Sequence, residues 1–117
     1  MNRKTLGNDG EDKAAEYLKT KGYEILERNY RYARGEIDII ALYRDYIVFV
    51  EVKMRRSLKY GPPHFAVDFR KQEKIRKTAL HYLACRKIFS DKKIRFDVIC
   101  IQMKGGRTEL EHIENAF

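Results

Sequence analysis

Apolar residues follow two rhythms along this chain. Between residues 9 and 21, Ala14, Ala15, Tyr17 and Leu18 recur at three- and four-residue spacing, the period of a helix that buries one stripe, and Gly22 ends it. Over 23–32, 36–43 and 46–54 the period falls to two or gives way to β-branched runs, with turn residues at Ala33-Arg34-Gly35 and around Arg44-Asp45. That pattern predicts three strands in an antiparallel meander. Residues 55–66, which include Arg55, Arg56, Ser57, Gly61, Pro62 and Pro63, break regular structure and predict a loop. Helical spacing returns over 68–86, with Ile75, Ala79, Tyr82 and Leu83 facing inward and Arg70, Lys74, Lys77 and His81 on the opposite side. A strand over 94–102 follows, then a short edge strand over 108–113 beyond the Gly105-Gly106 turn. The strand-helix-strand passage from 46 to 102 calls for a right-handed crossover and a parallel pair. The order α-β-β-β-α-β, with room for one more strand, predicts an α/β fold with a mixed central sheet flanked by helices. A length of 117 residues suits a single domain over 1–117.

Three charges interrupt this pattern. Asp38 falls within the run Gly35-Glu36-Ile37-Asp38-Ile39-Ile40, and Glu51 and Lys53 fall within Val50-Glu51-Val52-Lys53. An unpaired charge inside a buried strand is strongly unfavourable, so each needs a partner. Alternation puts Glu36 and Asp38 on one strand face with Ile37 and Ile39 on the other, and groups Ile47, Phe49, Glu51 and Lys53 opposite Val48, Val50 and Val52. If the hairpin turns near Arg44-Asp45, residues whose numbers sum to about 89 stand opposite one another, which sets Asp38 against Glu51. Facing carboxylates repel and call for a cation. Mg²⁺, with its preference for oxygen donors, suits Asp38, Glu51 and the Val52 carbonyl, with water and phosphate oxygens in its other positions. Lys53, on the face of Glu51, is placed to orient a water or stabilise charge on a phosphate. The competing reading is a pair of strand-end salt bridges.

Composition narrows the partner. Lys plus Arg number 25 against 17 Asp plus Glu, a net charge of +8, which favours a polyanion: nucleic acid first, an anionic membrane surface second. No apolar stretch approaches the roughly 20 residues of a bilayer span, and residues 1–10 lack the apolar segment of a secretory signal, so the expectation is a cytoplasmic protein without membrane association. Cys85 and Cys100 lack metal-ligand spacing and are expected to be buried, reduced thiols.

An acid on one strand followed by Glu-X-Lys on the next resembles the PD-(D/E)XK nuclease superfamily. More closely, the chain resembles the YraN-like family of small bacterial proteins, related in fold to archaeal Holliday-junction resolvases. The resemblance runs through Gly10-Glu11, Ala14, Tyr17-Leu18, Asn29, Gly35-Glu36-Ile37-Asp38, Phe49-Val50-Glu51-Val52-Lys53, Arg55, Tyr60-Gly61, Ala66-Val67, Lys71-Gln72, Tyr82-Leu83 and Arg95-Phe96-Asp97. It implies a restriction-endonuclease-like core, a Mg²⁺ (or Mn²⁺) site at Asp38 and Glu51, a catalytic Lys53, and hydrolysis of DNA phosphodiester bonds, including those of branched DNA. It also implies a third acid on the first helix, Glu11, for which a capping role at the helix start is the alternative. Gln72, at helical spacing from Ile75 and Ala79, resembles the helix glutamine of related nucleases; a buried amide bonded to backbone is its other reading. Glu36 either binds a metal-held water or pairs with Arg34 or Arg55. Asp97 reads as a structural salt-bridge partner.

Arg55, Arg56, Lys59 and Tyr60, close to His64, suit phosphate contacts and base stacking, with Lys71 and Lys74 of the second helix added to that surface and Arg28, Arg31 and Arg34 as extensions. A solvated charged loop is the alternative, as is a non-catalytic nucleic-acid-binding module for the whole chain. His64, His81 and His112 lack mutual ligand spacing and read as surface or packing residues. Symmetric nicking of a junction calls for a homodimer, and Ile113 and Phe117 could form an interface or close the core.

Overall fold

Helix α1 (Arg3–Thr20) lies on one face of a five-stranded sheet and helix α2 (Phe69–Cys85) on the other. The strands are β1 (Glu24–Tyr32), β2 (Gly35–Tyr43), β3 (Tyr46–Arg55), β4 (Lys93–Lys104) and β5 (Arg107–Ile113), arranged in that order across the sheet. The computed structural model describes residues 3–55 and 67–117, with side chains from Gly10 onward except at 55 and 104. All pairs are antiparallel except β3 with β4, the parallel pair that the crossover through α2 requires. A short 3₁₀ turn, Lys87–Phe89, follows α2.

Local chemistry sets the helix ends. Gly22, at φ +93, ends α1 with a paired closure in which the Tyr23 N–H reaches the Leu18 carbonyl at 2.9 Å and the Gly22 N–H reaches Lys19 at 3.1 Å. The Asp68 carboxylate caps α2 by accepting from the Lys71 N–H at 2.8 Å. The start of α1 is six residues earlier than the predicted residue 9, because its first turns carry little apolar periodicity to mark them. β5 is present at the predicted edge.

The core has two layers. Ala14, Ala15 and Leu18 of α1 pack with Ile39, Ala41, Val48, Val50, Ile99 and Ile101, while Val67 and α2 residues Ile75, Ala79 and Tyr82 pack with Ile37, Ile40, Ile47, Phe49 and Val98. Thr78, also buried, belongs to the inward stripe of α2 and was not predicted there. Ile37 and Ile39 therefore point to opposite layers, against the simple alternation expected of β2. The slip occurs where Asn29 of β1 adopts φ +54, between the register pairs Arg28↔Ile39 and Tyr30↔Ile37. One left-handed residue rotates the strand, and both partners change face together.

Further corrections concern polar residues. His81 does not stand outward with Arg70, Lys74 and Lys77; it shares a 2.7 Å hydrogen bond with Tyr30 and stacks on Tyr32. Cys100 is buried, but Cys85 is exposed; neither is in a disulfide. Asp97 is a structural partner, as expected: it accepts from Arg95 at 2.8 and 2.9 Å, from His112 Nε2 at 2.6 Å and from the Asn115 N–H at 3.0 Å. Those bonds tie β4 to β5 and the residues after it, and Phe117 stacks on Phe96. No helix among the described residues is long and apolar enough to cross a membrane.

Candidate functional site

The site forms where the β2–β3 ladder stops. Those strands pair from Tyr43↔Tyr46 to Ile39↔Val50, all summing to the predicted 89, and the ladder then lapses, while β3 continues against β4 as far as Arg55↔Gln102. Asp38 and Glu51 are the first residues beyond the last pair. In place of a backbone partner, the Val52 N–H donates to Asp38 Oδ2 at 2.8 Å. Val52 therefore engages Asp38 through its amide, whereas the sequence reading assigned its carbonyl to a metal ion.

Glu51 is 7% exposed, on the face that looks toward α2. Lys71, one turn before Ile75 on the inward stripe, places Nζ 2.7 Å from Glu51 Oε1, and Lys53 places its own at 3.6 Å. Lys71 was expected to contact nucleic acid. Its spacing of four from Ile75 and seven from Thr78 is the signal that could have placed it beside Glu51, at the cleft, where its side chain stays 41% exposed. Lys53 stands on the face of Glu51, as alternation predicts.

The electrostatics follow from this crowding. Burial, then the charge of Glu51, pushes the Asp38 carboxyl up to about 7, against the pull of the Val52 N–H; Glu11 and Glu36 add to the rise. Burial lowers the Lys53 ammonium, and the neighbouring Lys71 lowers it further. For Lys71 burial acts downward as well, but its hydrogen bond to Glu51 prevails and its pKa is raised.

Glu11 approaches from α1. Because that helix starts at Arg3, Glu11 lies well inside it and is no cap; its side chain turns inward and is only 16% exposed. Gly10 leaves the room that the Met54 side chain takes up beside the helix. Glu11 Oε1 is buried without a hydrogen-bond partner, with Arg28 at 3.8 Å as its nearest cation. Burial raises the Glu11 carboxyl, with Glu36 also raising it, while Arg28 and Asn29 pull it down. Arg28, expected on the nucleic-acid surface, serves α1 instead and also pairs with Asp12 at 2.7 Å.

Glu36 and Asp38 both line a cleft of about 360 Å³ between β2 and α2, closed by Glu51, Asp68 and Ile75 and bordered by the basic residues Arg34, Arg70, Lys71 and Lys74. Glu36 pairs with Arg31 at 3.4 Å, and among the described residues no ion pair joins it to Arg34. Gln72 donates from Nε2 to the Val67 carbonyl at 3.0 Å, the backbone-bonded amide of its two readings. Arg56, Lys59, Tyr60 and His64 lie outside the described residues, as does the Arg55 side chain.

A model of the uncharacterised protein family UPF0102 matches residues 10–101. The chain belongs to that family. Relatives bearing only the family designation include one from Caldanaerobacter subterraneus subsp. tengcongensis, 50% identical over all of this chain and 98% of its own length. Another, from Thermodesulfovibrio yellowstonii, is 50% identical over all of this chain and 99% of its own. A third, from Acetivibrio thermocellus, is 51% identical over 99% and 93%. The segment matched by the family model spans Glu11, Asp38, Glu51, Lys53, Lys71 and Gln72.

The donor set fits a hard divalent ion in one respect: Asp38 and Glu51 offer carboxylate oxygens side by side at the cleft. Asp38 and Glu51 would hold such an ion, and Mg²⁺ commonly takes one or two carboxylates, with water and phosphate for the remainder. Glu11 does not complete a ligand triad, and among the described residues no three His, Cys, Asp or Glu side chains converge closely enough to hold an ion.

Proposed function

We propose that this protein is a Mg²⁺- or Mn²⁺-dependent endonuclease of the PD-(D/E)XK, restriction-endonuclease-like type that hydrolyses DNA phosphodiester bonds, those of branched DNA included. The observation that carries the reading is geometric: Asp38 and Glu51 stand together where the β2–β3 ladder lapses and line a cleft bordered by arginines and lysines. Acids placed against each other at a loss of stability, facing a basic rim, suit a site that neutralises them with a cation and draws in a polyanion.

Within this reading Asp38 and Glu51 bind the divalent ion, and Glu11 orients water through its orphaned oxygen. The ion supplies Lewis acidity toward the phosphate and lowers the pKa of bound water. Lys53, whose proton is loosened by burial, orients the attacking water, and Lys71, now held by Glu51, turns to the phosphate when substrate arrives. Arg34, Arg70 and Lys74 hold the backbone on either side. Symmetric cleavage of a junction requires paired sites, hence a two-fold dimer in the active state.

The test is a cleavage panel of linear, supercoiled, single-stranded and four-way DNA with Mg²⁺ or Mn²⁺, run beside Lys53→Ala. The expected outcome is metal-dependent cleavage by the parent and none by the variant, with folding and DNA binding retained. Equal cleavage by both proteins removes the mechanism.

A non-catalytic nucleic-acid-binding module is the second reading. It is favoured by Lys71 at 2.7 Å from Glu51, where an internal cation already meets one of the two acids. Salt-sensitive binding with no cleavage in either metal would decide for it.

A further inference from the structure

A second cleft, of about 330 Å³, adjoins the first. It is lined by Tyr32, Lys77 and Thr78, and shares Arg34, Gly35 and Lys74 with the acid-bearing cleft. The two are neighbours along the seam where the β1–β2 turn meets α2. Gly35 makes that seam possible, since a Cβ there would collide with Thr78 Oγ1 and crowd the Lys74 carbonyl at 2.9 Å.

Tyr32 is 43% exposed, yet its ring is held in place. It stacks on His81 with centroids 3.7 Å apart and planes at 13°, and the imidazole is itself fixed by Tyr30 at Nδ1 and by Cys85 Sγ near Nε2. His81 stacks on one face of the tyrosine, and Tyr32, but not His81, lines the cleft. The result is a rigid aromatic platform beside three cations, Arg34, Lys74 and Lys77, on a protein with net charge +8.

We infer that this second cleft binds a single-stranded segment of DNA, with one unpaired base stacked on Tyr32 and the flanking phosphates held by Arg34, Lys74 and Lys77. The inference rests on the nucleic-acid side of the proposed function and extends it by naming the strand form at the site. A duplex cannot present the face of a base to Tyr32, whereas an unpaired nucleotide can. Stacking on a ring already ordered by His81 avoids the entropy of fixing the platform on binding.

The test is fluorescence anisotropy of labelled single-stranded DNA and of a duplex of equal length, in EDTA so that no cleavage intervenes, across a salt series. Tyr32→Ala is expected to weaken single-strand binding about five- to 150-fold with the salt slope unchanged, and to leave duplex binding within twofold. Tyr32→Phe should bind like the parent, which separates stacking from misfolding. Lys77→Ala should weaken binding and reduce the salt slope by about one. Single-strand affinity unchanged in Tyr32→Ala, or equal losses on both DNA forms, would overturn the inference while leaving the proposed nuclease intact. Failure of the parent to bind any nucleic acid at low salt would overturn both.

Discussion

Replacing Asp38 by Asn should stabilise the protein above neutral pH. The Asp38 carboxyl has an ordinary value of 3.8 and a folded value of about 7, so between those limits the folded protein holds its proton more tightly than the unfolded chain does. A raised folded value means that the stability from this group is complete below about pH 4. It declines as the pH rises and levels off above about 7. At about 1.4 kcal/mol per pH unit the full decline is about 4 kcal/mol, an upper bound because part of the rise at Asp38 comes from neighbouring charges. Asn keeps an oxygen to accept the Val52 N–H, now at 2.8 Å, and removes the charge. Urea unfolding of both proteins between pH 4.5 and 8.5, with ΔG taken by linear extrapolation, measures the difference directly. The variant should be close to the parent at pH 4.5 and more stable by about 1–4 kcal/mol at pH 8. Mg²⁺ at pH 8 should raise the parent's midpoint more than the variant's, as a ligand that binds the folded acids must. A variant less stable at pH 8, or a difference that does not change with pH, would refute the account of Asp38 as a strained acid.

Other perturbations test neighbouring parts of the structure. Asp97, fully buried, has its carboxyl lowered: burial acts upward, but His112, Arg95 and the Asn115 N–H more than offset it. Its stability is present above the ordinary value of 3.8 and is lost as the pH falls below it, opposite in sign to Asp38. Asp97→Ala should cost about 3–5 kcal/mol at pH 7 by leaving Arg95 without its buried partner, measured by urea unfolding; a loss under about 1 kcal/mol would contradict that role. Gly35→Ala should cost about 1–3 kcal/mol through the collision with Thr78 Oγ1, and Thr78→Ala added to it should recover part of the loss in thermal unfolding; no recovery would place the strain elsewhere. Lys71→Met removes the cation now paired with Glu51, so Mn²⁺ binding followed by calorimetry should tighten; unchanged or weaker binding would show that the ammonium and a metal ion do not compete.

Much of this architecture was legible because hydrophobic period and turn chemistry agreed with each other. The meander, the crossover helix and the hairpin register came from strand alternation and from turns at Ala33-Arg34-Gly35 and Arg44-Asp45, and the observed pairs from Tyr43↔Tyr46 to Ile39↔Val50 keep that register. Alternation failed at Ile37, where Asn29 on the neighbouring strand takes a left-handed conformation that composition alone does not mark as a twist. Lys71 was read as a nucleic-acid contact; it lines the cleft, 41% exposed, and its ammonium reaches Glu51. Arg28 was read as an extension of the basic surface, and the approach of α1 supplies Glu11 and Asp12 as its partners. Neither ion pair was legible for one reason: a charged side chain is placed by its partner across the fold, and sequence spacing does not show which partner arrives.

The lapse in the β2–β3 ladder connects the backbone with the chemistry. An antiparallel pair that ran on past Ile39↔Val50 would satisfy its backbone groups with each other and leave Asp38 and Glu51 as ordinary cross-strand neighbours. Here β3 stays with β4 to Arg55 while β2 stays with β1 to Gly35, so the two strands part at the acids. Asp38 then takes over the Val52 N–H, and the opening between β2 and α2 becomes the cleft. The same carboxylate thus closes a gap in the sheet and carries the charge that strains it. Removing the charge while keeping the acceptor, as Asp38→Asn does, separates those two roles; removing both, as in Asp38→Ala, should leave the Val52 amide without its acceptor and give a protein less stable than Asp38→Asn at every pH.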